Sequence, residues 1–415
     1  MERRLLSALR TLCCAALALG SGPAGAAIQL DASFEMAVIG TDAAAGFPDG
    51  THSKLRYGSD DGAVQLLGGY LQLQSDLQPT LNTKLALNVN PQADTALGII
   101  DAFLQYRPLP FGGVRVRGKL GAFRPPLSFE HGADGWETLY TTNASAINSW
   151  VGEELGLFGA EIAIKRDLAS TGGRRYWNIG GAVFYGNDPA GALLSWRGWS
   201  LNNWQTAWGG TMPLARSPFI DGNPLQSQQI EPFLEMDDRP GFYGFIEVGA
   251  ARRWRLRYLY YDNHADPMVT EDGQYGWRTY FNSVSVQWRL AESTGLIAQW
   301  MDGGSAMGFT RPSGSLPVEI GFDARFLMLT HAYGHHRFSA RYDRFAVADR
   351  DDYPNDDNQE TGQGMTLSYQ YQLSERLRLG GEWLSIRSNR PGRRYTETAP
   401  RQREELFMLV LRWSY

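Results

Sequence analysis

Past residue 26 the chain has no cysteine; Cys13 and Cys14 both lie before that point. Nothing downstream can therefore be stapled by disulfides or held by thiolate ligands. Lysine is almost absent, occurring only as Lys54, Lys84, Lys119 and Lys165, and the formal net charge of the 415 residues is −5. An acidic balance with few lysines argues against nucleic-acid partners, which need clustered cations. No apolar run beyond residue 26 approaches the ~20 residues that a membrane helix requires. There is no Gly-x-Ser-x-Gly elbow, no phosphate-binding Walker loop and no His-Glu-x-x-His, so neither catalysis nor a cofactor is expected. Nor does a linker, a low-complexity stretch or a charge block divide the chain, and residues 27–415 are expected to form one domain.

What is present sits first at the two ends. Residues 1–26 start basic (Arg3, Arg4, Arg10), continue through an apolar run over 12–19 and end on small residues, Ala24-Gly25-Ala26. This is the pattern of a cleaved secretory signal peptide. At the other end Phe407, Leu409, Leu411, Trp413 and Tyr415 alternate with polar or smaller residues. A strand has a side-chain period of two, so these five share one face. A last strand that ends on an aromatic resembles that of bacterial outer-membrane β-barrels, where it is read by the insertion machinery. Composition agrees: 13 Trp, 19 Tyr, 19 Phe and 47 Gly stand within a polar mean hydropathy, as in a wall whose strands face lipid on one side and water on the other.

Alternation predicts strands at 28–38, 63–75, 81–89, 97–107, 114–123, 157–166, 175–186, 242–249, 252–262, 278–290, 295–301, 320–331, 337–346, 365–373, 377–386 and 404–415. Connections after odd strands are mostly long and those after even strands short, with the loop near 91–96 as the exception. Sixteen strands and loops sorted by parity predict an all-β fold, a 16-stranded antiparallel transmembrane β-barrel with short periplasmic turns and long extracellular loops. Such a girth is expected to leave a water-filled lumen. The expected location is the bacterial outer membrane, with lipid and lipopolysaccharide around the wall.

A charge facing lipid at mid-membrane costs roughly 2–4 kcal/mol, which fixes the facing of each strand. With Val114, Val116, Gly118, Leu120 and Ala122 outward, Arg115, Arg117 and Lys119 point inward. With Trp254, Leu256, Tyr258 and Tyr260 outward, Arg253, Arg255 and Arg257 point inward. Arg107, Arg325 and Arg341 are assigned inward on other strands. Two such cationic ladders between low-dielectric walls concentrate anions, and guanidinium forks match carboxylate and phosphate oxygens. The alternative is that these cations pair with wall acids such as Asp101, Glu161, Asp323 and Asp343.

The stretch GKLGAFRPPLSFEH, from Gly118 to His131, followed by INSWVGEELGLFGAEI, from Ile147 to Ile162, resembles the phosphate-selective porin family over about residues 115–165. That resemblance implies a sixteen-stranded pore, a homotrimer, and a third loop (about 124–154) folded inward to constrict the channel. Carried onto this chain, it places Arg115, Arg117, Lys119 and Arg124 on the basic wall beside the constriction. Glu130, Glu153 and Glu154 become the acids on or near loop 3. The chain departs from the family in lacking a dense lysine cluster, which puts phosphate itself in doubt.

The implied function is passive diffusion of small hydrophilic solutes with a preference for anions. The alternatives are a carbohydrate-specific or otherwise substrate-specific porin, in which loop aromatics form a slide, and an enzyme or adhesin on a barrel scaffold. Trp196, Trp199, Trp204 and Trp208 of loop 4 are expected to pack that loop against the barrel mouth or a neighbouring subunit. His331, His335 and His336 fall at a periplasmic turn, and Asp349, Asp351, Asp352, Asp356 and Asp357 lack calcium-loop spacing. No metal site is expected.

Overall fold

A computed structural model describes residues 28–132, 134–168, 175–250 and 253–415. The segment expected to be a signal peptide and the turn expected through Gly172-Gly173 lie outside the described residues. Sixteen antiparallel strands close into one barrel: β1 (Ile28–Thr41), β2 (Val64–Gln78), β3 (Leu81–Val89), β4 (Leu97–Tyr106), β5 (Val114–Phe123), β6 (Leu157–Leu168), β7 (Arg175–Tyr185), β8 (Gly241–Ala250), β9 (Trp254–Asp262), β10 (Arg278–Ala291), β11 (Thr294–Met307), β12 (Val318–Tyr333), β13 (His336–Asp349), β14 (Glu360–Gln372), β15 (Leu377–Asn389) and β16 (Arg401–Ser414). Closure is made by β1 on β16, from Ser33 opposite Ser414 to Thr41 opposite Leu406. Every expected strand is present. Several run further on the extracellular side than alternation indicates, β11 to Met307 and β16 from Arg401. Above the lipid, apolar alternation fades while backbone pairing continues.

The outer face carries the apolar residues assigned to it, with Trp254, Leu256, Tyr258, Trp288, Leu367, Tyr369, Phe407, Leu409 and Trp413 all exposed. Arg325 contradicts its inward assignment. It alternates with Leu327 and Leu329, which are exposed, against Ala324, Phe326 and Met328, which are buried. It therefore faces out, and so does Asp323. Arg325 opens a row in register across five strands: Arg325 stands opposite Arg344, Arg344 opposite Gln363, Gln363 opposite Arg387, and Arg387 opposite Arg403. The row climbs from the middle of β12 to the extracellular end of β16.

The interior corrects the expectation of an open, water-filled lumen. Loops 1 (42–63), 3 (124–156) and 4 (186–240) fold into the extracellular part of the barrel and share one apolar core with the wall. Loop 3 carries helix α1 (Ala146–Glu154), all nine residues of which are buried. Ser145 starts it by accepting the Asn148 amide at 3.3 Å, a usual N-cap. Loop 4 carries α2 (Ala192–Trp196) and α3 (Pro218–Gly222). Trp150 of α1 packs edge-on to Trp199 of loop 4 and to Phe281 of β10, with ring centroids 6.1 and 5.6 Å apart. Trp196, Trp199 and Trp204 of loop 4 thus point into the barrel, each at most 3% exposed, whereas Trp208 packs on the separate wall cluster of Leu85, Ala102 and Ala122. Loop 4 also completes the wall. β4 and β5 pair only between residues 102–106 and 118–122, and above that the Trp208 amide donates to the Ile99 carbonyl at 2.9 Å.

Candidate functional site: the basic vestibule and the packed lumen

On β5 the parity argument holds, and Arg115, Arg117 and Lys119 all face inward. Each has an acid on the neighbouring strand β6: Arg115 pairs with Asp167 at 2.5 Å, while Arg117 and Lys119 share Glu161 at 3.0 and 3.7 Å. Glu161 also accepts from the Tyr243 hydroxyl. On β9, Arg257 pairs with Glu247 and donates to the Pro126 carbonyl of loop 3. Arg255 has no carboxylate partner among the described residues. Its Nε donates to Gln287 at 2.8 Å and its guanidinium lies 3.8 Å over the Phe129 ring. The β5 rungs and Arg257 are therefore paired by the wall, as the pairing alternative holds for Glu161, and Arg255 keeps its charge facing space.

That space is a cavity of about 660 Å³ on the periplasmic side. Its cations are Arg115, Lys165, Arg253, Arg255, Arg289 and Arg337, and its acids are Asp167 and Glu292. Loop 3 reaches down to it, since the Tyr140 hydroxyl accepts from Gln287 at 3.2 Å and its ring lies 5.3 Å from the Arg337 guanidinium. Arg289, Arg337 and Lys165 were missed as lining residues. All three lie inward by parity, and only their isolation from a ladder hid them.

The remaining cations have other roles. Arg107 sits past the end of β4 in an exposed periplasmic turn, its amide donating to the Thr80 carbonyl, so it lies at the rim and not in the lumen. Arg253 likewise belongs to the turn before β9, at the cavity's edge. Arg124 is buried; it donates to the Thr206 carbonyl at 3.1 Å and lies 5.2 Å from the Trp136 ring. Burial lowers its pKa to about 10. Arg341 faces inward but is completely buried. It holds Asp343 at 2.8 Å, Glu130 at 2.7 Å, and the carbonyls of Asn143 and Ala144 at 2.8 Å each. It clamps loop 3 to β13 and is not open to an anion.

The three loop-3 acids are likewise buried and face no open constriction, because the packed loops have taken that volume. Glu130 accepts from Ser145 and Asn148 as well as Arg341. Glu153 pairs with Arg197 of loop 4 at 2.5 Å. Glu154 accepts the amides of Gly191 and Leu193 at 3.1 and 2.9 Å and the Trp150 indole. Burial raises the Glu154 pKa to about 7. Under the outer loops a further buried pair, Lys54 and Glu360, ties loop 1 to β14, with Lys54 Nζ donating to the Arg197 carbonyl at 2.6 Å. Burial brings the Lys54 pKa down to about 7. Beside β1–β3 a narrow polar gap of about 50 Å³ persists, lined among others by Glu35, Arg56, Asn90, Trp136, Asn203 and Arg412.

No sequence-family model matches the chain, and no curated protein sequence does. Solved structures do. The outer membrane channel DcaP of Acinetobacter baumannii superposes with a TM-score of 0.54 at 10% identity, covering 95% of this chain and 99% of that one. The two share the fold of an outer-membrane channel, a closed antiparallel barrel. The outer-membrane expressed OmpT of Vibrio cholerae gives 0.49 at 9% identity over 95% of this chain and 99% of that one. An anion-selective porin from Comamonas acidovorans gives 0.48 at 11% identity over 94% and 100%. At these identities the likeness is one of architecture.

Proposed function

We propose that the protein is an outer-membrane porin for small hydrophilic solutes that prefers anions and passes them through a restricted lumen. The carrying observation is the vestibule, where six cations face two acids around about 660 Å³. Low-dielectric walls focus such a field and raise the local anion concentration. Arg255 is the rung best suited to meet a solute, since its only side-chain acceptor is a neutral glutamine. Oxyanions fit its planar fork, phosphate among them. The restricted lumen predicts a small unit conductance for sixteen strands. A sugar slide built on Trp196, Trp199 and Trp204 is disfavoured, because they are buried in the lumen core.

Export by the N-terminal segment and trimer formation belong to this reading through the family resemblance. The outward arginine row suits the phosphate groups of the outer-leaflet lipid. In a planar bilayer the purified protein is expected to give small, steady chloride currents that added phosphate reduces. Absence of any conductance contradicts the reading, and block by neutral sugar with no effect of phosphate turns it to the carbohydrate alternative.

A further inference from the structure

The root of loop 4 holds two buried acids, Asp188 and Glu235, that no cation among the described residues pairs. Asp188 follows β7 directly, and Glu235 and Asp237 close the same loop before β8. One carboxylate oxygen from each of the three lies within 4.8 Å of the others. Asp188 is 0% and Glu235 2% exposed. Each carboxylate has one oxygen on a backbone amide, Asp188 on Met236 at 2.5 Å and Glu235 on Gly186 at 2.6 Å, and the amides of Asp237 and Asp238 also face the pair. The second oxygens, Asp188 Oδ1 and Glu235 Oε1, have no hydrogen-bond partner.

The other buried acids of this lumen differ. Glu130 and Asp343 have Arg341, Glu153 has Arg197, Glu360 has Lys54, and Glu154 and Glu382 are bonded at both oxygens. The charged groups that face Asp188 and Glu235 are all acids. Arg239 stands 3.8 Å from Asp237 but turns its terminal nitrogen to Asp266 at 2.9 Å. A buried, uncompensated carboxylate costs several kcal/mol, so two of them with orphaned oxygens call for a positive charge.

We propose that Asp188, Glu235 and Asp237 form a divalent-cation site that fastens the two ends of loop 4 together, with calcium as the preferred ion. The donors are hard oxygens with no imidazole or thiolate, which selects calcium or magnesium over zinc. A site built from two chain segments that do not impose a rigid octahedron suits calcium, whose coordination is the more adaptable. Its consequence is mechanical. The loop that carries Trp196, Trp199 and Trp204 into the lumen becomes pinned at its root. Burial and the neighbouring acids push the Asp188 carboxyl up to about 8 without an ion, so a proton is the competitor for the same charge.

The site is tested on the full-length protein in detergent after chelator treatment, by titrating terbium and exciting tryptophan. Trp277, whose amide donates to the Asp188 carbonyl at 2.7 Å, is the nearby sensitiser. Saturable terbium emission, displaced by calcium, is expected. Asp188→Asn with Glu235→Gln should weaken binding at least about tenfold, while Asp351→Asn with Asp352→Asn in loop 7 should leave it unchanged. No saturable emission, full binding by the first variant, or loss confined to the second overturns the proposal. Should the first variant fail to fold, the wild type decides: calcium raises its unfolding temperature above that in chelator, and an unchanged temperature overturns the proposal.

Discussion

Arg341 shows what alternation alone cannot read. Its parity places it inside the barrel, and it is inside, but loop residues 143–144 and two acids surround it completely. Removing one partner of such a buried group leaves uncompensated charge and costs about 3–5 kcal/mol. Arg341→Met is therefore expected to lower the stability of the folded barrel in urea by that amount, and adding Glu130→Gln and Asp343→Asn should restore part of it. Glu154 sets a pH response. Its folded pKa, raised to about 7 by burial, lies above its ordinary value, so it stabilises most below about pH 4.5 and loses that stabilisation as pH rises through about 7. Tryptophan emission should accordingly shift to the red, as loop packing weakens, between about pH 5 and pH 8. Glu154→Gln should flatten that part of the profile, and an unchanged profile would contradict the assignment.

At the scale of elements, the strands were legible in the sequence because lipid enforces a period of two. β3 and β5 begin and end where alternation puts them. The loops were not legible, because nothing in their local pattern states whether an apolar side chain meets lipid, a neighbour or the lumen. Tryptophans 196, 199 and 204 could be recognised as packing residues but not assigned a partner. Arg325 was misread because a lipid-facing charge was taken as forbidden, whereas on β12 the apolar outward run is short, with Leu327 and Leu329 below it. Helix α1 depends on close approach to loop 4: a Cβ on Gly152 would stand 2.6 Å from the Trp204 carbonyl oxygen. Gly152→Ala should loosen loop 4 and raise unit conductance in a planar bilayer, with the barrel's heat-dependent gel mobility retained. Equal conductance would argue that the packed loops do not limit flow.

For the whole molecule, a sixteen-stranded wall would enclose a wide pore, but three loops fill its extracellular part and leave charge on the periplasmic side. On the proposed function, selectivity belongs to the vestibule and conductance to the loops, two properties that separate variants should move independently. The ladders on β5 and β9 were readable as inward cations. Their division into paired rungs and the open Arg255 was not, because it depends on Glu161, Asp167 and Glu247 reaching across from neighbouring strands. The most direct measurement is the zero-current potential across a planar bilayer under a potassium chloride gradient, for wild type and for Arg255→Gln combined with Arg289→Gln. The account predicts the sign of chloride selectivity for the wild type and a shift toward potassium in the variant. A potassium-selective wild type, or a potential that the substitutions leave unchanged, would contradict it.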